Sequence, residues 1–175
     1  FILHLHSQRT LKFRIVKLND LSGKSASVYS IYMDDEKITL FEKFLEENVN
    51  LLSSELYEMI ARLKVMGNKT GAREQYFKLN EGNPGDGICA LYDEPEKNLR
   101  LYCIRYGTLI VVLGSGGEKP KELKVFQESD KLTEENYLLR EIAGQINQRI
   151  KEKEIGFTDD GLGFTGDLNF TEDTA

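Results

Sequence analysis

The sequence predicts an α+β fold: a small antiparallel sheet packed on a helical hairpin, with a further helix towards the C-terminus. Two observations carry this. Asn98 to Tyr106 and Leu109 to Leu113 read as a pair of strands joined at Gly107-Thr108. Two stretches between residues 40 and 66 and one after Thr133 place apolar residues at helical spacing. With 175 residues, 40% of them hydrophobic, the chain can bury one good core.

Taken in order, Lys12 to Asn19 alternates Phe13, Ile15 and Lys17 with Arg14, Val16 and Leu18, the period of a strand. Ser25 to Met33 reads as a second strand. Thr39 with Glu42 three residues on is a capping-box signal, and Phe41, Phe44 and Leu45 follow on one helical face. Ser53 or Ser54 starts the second helix, with Leu56, Ile60 and Leu63 on one face. Asn83 to Gly87 is a turn cluster, and Gly87 to Tyr92 an uncharged strand. In the next strand Leu99, Leu101 and Cys103 share one face, and Arg100, Tyr102, Ile104 and Tyr106 the other. Leu109 to Leu113 is continuously apolar, as in a strand covered on both sides, and Gly114 to Gly117 reads as a turn. Thr133 is the expected cap of the last helix, whose apolar face is Leu139, Ile142, Ala143, Ile146 and Ile150. This divides the chain into a leader (residues 1–10), a domain (11–153) and an acidic C-terminal tail (154–175).

The only histidines are His4 and His6. Without histidine in the domain, Ser-His-Asp, Cys-His and most zinc chemistry drop out, and any catalysis must use Lys, Arg, Tyr or carboxylates. No metal and no cofactor is expected. Cys89 and Cys103 sit inside apolar strand segments without CxxC spacing, so they read as buried small hydrophobes in a cytoplasmic protein. No apolar run reaches the roughly 18 residues of a membrane span. The net charge is −6, but six acidic and no basic residues lie in 154–175, leaving 23 basic against 23 acidic side chains before it. Between Arg62 and Lys124 there are 11 Lys/Arg against 8 Asp/Glu, a modest basic surplus around the strand pair.

The order of Arg100, five further strand residues, a Tyr106-Gly107 turn, an apolar strand and a Gly/Lys loop resembles the RelE/HigB superfamily of toxin–antitoxin ribonucleases, especially its phage-derived branch. The likeness spans about residues 12–151 and is most specific over 73–124. It implies the RelE/ParE-like arrangement of sheet and helices. It also implies that Arg100 holds the scissile phosphate, and that Lys119, with Lys121 behind it, protonates the leaving oxygen or holds a phosphate. Arg73 and Lys78 would bind RNA, and Tyr102, on the Arg100 face, would stack on a base. A structural arginine, a solvated lysine loop and a core tyrosine are the competing readings. The sequence departs from the family where Gly87 to Tyr92 lacks the lysines usual before the hairpin.

The resemblance implies a metal-independent mRNA endoribonuclease acting on the ribosome, neutralised by a cognate antitoxin, with a helix-turn-helix protein among the options. A ParE-type toxin that binds a protein target such as gyrase, or a non-toxic binding or regulatory protein of the same fold, are the alternatives. The acidic tail is expected to be a short hairpin laid on the body or disordered, and either to stay solvated or self-paired or to cover the basic surface around Arg100 and Lys119.

Overall fold

The computed structural model describes residues 11–120 and 130–171. Strands β1 (Phe13–Lys17), β2 (Ser27–Met33) and β3 (Ile38–Thr39) precede a long helix α1 (Leu40–Val65), and β4 (Phe77–Lys78), β5 (Ile88–Leu91), β6 (Leu99–Tyr106) and β7 (Ile110–Glu118) follow. Helix α2 (Asp130–Lys151) and a small hairpin, β8 (Ile155–Phe157) and β9 (Phe164–Gly166), complete the fold. The main sheet runs β1-β2-β7-β6-β5-β4, with β3 on β2.

The three consecutive strands expected from the sequence, β5, β6 and β7, pair antiparallel. The sheet as a whole is mixed, because β2 pairs parallel with β7. A parallel pair needs a long crossover, and here everything from β3 to β6 supplies it.

The alternation read in β6 holds. Leu99, Leu101 and Cys103 join Phe41, Phe44, Leu56 and Leu63 of α1 in one core cluster. Tyr102 and Ile104 join Leu139, Ile142 and Ile146 of α2 in the other. Thr39 accepts a hydrogen bond from Glu42 N–H at 3.0 Å, capping α1 as expected. The helix breaks at Leu52 (φ −132°, ψ 34°). Glu42 and Lys64 line the same cleft, yet a straight helix would hold them about 33 Å apart. The break therefore doubles the chain back, and the two expected helices are the two halves of α1.

Three readings are corrected. The turn between β6 and β7 takes three residues, since Tyr106 pairs with Ile110, and Gly107 supplies the left-handed conformation (φ +61°). Gly114 to Gly117 is not a turn but the buried second half of β7. The sequence signal is ambiguous there because glycine serves both turns and close approach. At Gly116 a Cβ would overlap the Arg100 carbonyl, beside a register shift between Leu101 and Cys103. Finally, α2 is already helical at Asp130, so Thr133 is an internal position and not its cap.

The described part of the tail, up to Thr171, packs into the fold. The Phe164 N–H donates to Tyr29 Oη at 3.2 Å, Ser27 Oγ donates to the Leu162 carbonyl, and Phe170 stacks on Phe13 at 4.3 Å between ring centroids. Its 168–170 segment runs along β1, with Ile15 N–H donating to the Leu168 carbonyl at 3.0 Å and Phe170 N–H to the Phe13 carbonyl at 2.8 Å. Among the described residues no helix is long and apolar enough to cross a membrane.

Candidate functional site

Lys78 lies on the edge strand β4, and Arg100 on β6, two strands further into the sheet. Lys78 stands opposite Ala90, and Ala90 opposite Tyr102, two residues after Arg100. The register shift that Gly116 permits lies directly after Leu101, where such irregularities re-aim neighbouring side chains. Lys119 follows the end of β7, and its backbone N–H is held by the Asn98 carbonyl at 2.7 Å. Three cations predicted separately from the sequence are thereby brought to one corner.

They converge on Asp93, which is only 4% exposed. Lys119 Nζ lies 2.6 Å from Asp93 Oδ2, Lys78 Nζ 3.0 Å from Oδ1, and Arg100 Nη2 3.6 Å from Oδ2. A carboxylate buried this deeply is tolerated because it is paired. Lys119 Nζ also donates to the Glu94 carbonyl at 3.0 Å, tying down the loop after β5. Lys78 lies 5.7 Å from the centroid of the half-exposed Tyr92 ring. On the rim, the fully exposed Glu94 and Glu96 share a hydrogen bond that raises the pKa of Glu94 and lowers that of Glu96.

Tyr102 is 6% exposed and belongs to the core cluster facing α2, so its ring packs in the core. Arg73 is not part of this corner. Its Nε–H donates to the Thr70 carbonyl, and the neighbouring Ala72 N–H bonds the Thr108 carbonyl at the β6–β7 turn. That is the far end of β7, whose start at Ile110 is roughly 30 Å along the strand from Lys119. Lys121 lies outside the described residues. The tail's 168–170 segment runs along β1, three strands from β6, and among the described residues the tail's contacts include Phe13, Ile15, Ser27 and Tyr29 rather than Arg100 or Lys119.

Sequence reasoning missed Asp93 and Arg140. Asp93 opens an acidic connection, Asp93-Glu94-Pro95-Glu96, and nothing in its spacing marks one of those carboxylates as buried. Arg140 sits on α2 and approaches the Arg100 corner only through packing; its Nη2 donates to the Glu81 carbonyl at 3.1 Å.

Chemically, the corner offers three cations to one buried carboxylate. The surplus positive charge, held on side chains that are 13 to 33% exposed, suits an anion that arrives from solvent. Among the described residues no group of three or more His, Cys, Asp or Glu could hold a metal ion. Cys89 and Cys103 face each other across β5 and β6, buried and unlinked; the hydrogen bond with Cys89 and burial push the Cys103 thiol well up. No protein-family model, curated protein or solved structure matches the chain at a significant level.

Proposed function

We propose that the chain is a RelE/HigB-like toxin of a type II toxin–antitoxin system that acts on mRNA through the corner built by Lys78, Arg100 and Lys119. The observation that carries this reading is the convergence of those three cations on Asp93. In-line attack of a ribose 2′-hydroxyl on its own phosphate builds negative charge on the phosphoryl oxygens, and a guanidinium with neighbouring ammonium groups offsets it. Arg100 suits the phosphate because its fork engages two oxygens. Lys119 would hold a phosphate or protonate the leaving oxygen once it exchanges Asp93 for the substrate. A cognate antitoxin would cover the same corner.

The same geometry gives weight to a second reading, a ParE-type toxin that binds a protein. Lys119 is already engaged by Asp93 and the Glu94 carbonyl, and β5 carries no charge.

Induced expression without an antitoxin is expected to arrest growth, and Arg100→Ala to relieve the arrest while stability falls by no more than about 1 kcal/mol. Primer extension on bulk mRNA then separates cleavage from poisoning of a protein target. A harmless wild-type chain contradicts both toxin readings.

A further inference from the structure

Arg100 borders a second feature that the Asp93 pairing does not explain. A cavity of about 280 Å³ lies between β6 and the first half of α2, lined by Arg100, Tyr102, Asn136, Tyr137 and Arg140 and by the 80–82 turn. Its volume is near the lower bound, roughly 300 Å³, of small-molecule sites. Both arginines on its wall carry a buried Nε–H with no hydrogen-bond partner among the described residues. A buried donor left unsatisfied is costly, and native folds keep few of them. Here both belong to arginines that line one cavity.

Arg140 is held in place there. Its Nη2 donates to the Glu81 carbonyl at 3.1 Å, which also accepts from Asn136 Nδ2 at 2.9 Å, and its guanidinium lies 4.9 Å from the Tyr137 ring centroid. Nε–H and a neighbouring Nη–H of one guanidinium form the parallel pair that fits two phosphoryl oxygens. Among the described residues of the wall Glu81 is the one acidic side chain, against two arginines. Tyr137 is 55% exposed, which leaves ring surface open at the cavity mouth.

We infer that this cavity is a phosphate site in which Arg100 and Arg140 together grip one phosphoryl group of a nucleotide, while the Tyr137 ring stacks on its base. The inference rests on the RNA reading only for what carries the phosphate. Arg140 is then a binding residue contributed by the C-terminal helix.

The test is calorimetric titration of the purified full chain with inorganic phosphate, adenosine 3′-monophosphate and a single-stranded oligoribonucleotide, repeated for three variants. The mononucleotide is expected to bind more tightly than phosphate. Arg140→Gln should weaken both by tenfold or more, and Arg140→Lys by less, since it keeps the charge and loses the fork. Tyr137→Ala, at an exposed position, should bring the mononucleotide down to the affinity of phosphate and leave phosphate unchanged. Absence of saturable binding to wild type, or an unchanged affinity in Arg140→Gln, overturns the site. If Arg140→Gln does not fold, Tyr137→Ala decides, and an unaltered mononucleotide affinity overturns the stacking site. Phosphate binding with no gain for the mononucleotide overturns the nucleotide assignment. Oligoribonucleotide affinity no better than that of the mononucleotide assigns the site to free nucleotides. Because these are binding measurements, a chain that binds nucleotide but does not arrest growth keeps this site and loses the toxin reading.

Discussion

Two buried carboxylates organise charge in this fold, and they do so differently. Glu135 on α2 pairs with Lys131 at 3.0 Å and Lys43 at 3.6 Å, but each lysine has a second acidic partner, Glu47 for Lys131 and Glu36 for Lys43. Three carboxylates thus enclose two cations, and the network ties α1 to α2. Asp93 has the reverse arrangement, one carboxylate among three cations, with the rim glutamates fully exposed to solvent. The Glu135 network has more carboxylates than cations and so no positive charge left for an anion, whereas the Asp93 corner keeps positive charge in reserve. On the proposed reading, the Glu135 end is structural and the Asp93 end is the one that binds.

The largest effect should come from Asp93 itself. Asp93→Asn leaves three partly buried cations without a counter-charge and is expected to cost about 3 kcal/mol in denaturant unfolding. It should also tighten RNA binding, because the internal competitor for Lys119 and Arg100 is gone. Glu135→Gln should cost less, about 1 kcal/mol, since both lysines retain Glu36 or Glu47 and the amide still accepts a hydrogen bond. Equal losses at the two positions would erase the distinction between them.

A smaller effect appears in alkali. Burial lowers the pKa of Lys131, but the hydrogen bonds and charges of Glu135 and Glu47 outweigh it and raise the pKa above its ordinary 10.5. Tyr106 is raised too, by burial first and then by the charge of Asp86. For both groups the folded value exceeds the unfolded one, so their stabilisation is complete below about pH 10 and is lost as pH climbs through the raised values. Thermal unfolding between pH 9 and 11 should therefore show a falling melting temperature. Tyr106→Phe and Lys131→Gln should each flatten part of that fall.

Much of this was legible because the side-chain period of a strand needs no tertiary information. The faces of β6, the cap at Thr39 and the apolar stripe of α2 follow from spacing alone, and so does the hairpin of β6 and β7. What was not legible depends on packing. Gly114 to Gly117 carries a turn composition, yet it is strand because α2 and the Arg100 backbone approach too closely for side chains. The parallel pairing of β2 with β7 joins segments some eighty residues apart, and no local pattern encodes it. For the site, the cations were visible by type and position, but the carboxylate that gathers them was hidden among its acidic neighbours. Arg140 reads as one of many charges on an amphipathic helix until the fold lays it beside Arg100.

The central claim, that the Asp93 corner and not the Glu135 network engages RNA, is tested most directly by the affinity of a single-stranded oligoribonucleotide for paired charge-neutralised variants at several salt concentrations. Arg100→Gln and Lys119→Gln should each weaken binding and lower its salt slope by about one unit, while Lys43→Gln and Lys131→Gln leave both unchanged. Equal losses in the two pairs, or RNA affinity that none of the four alters, would contradict the account.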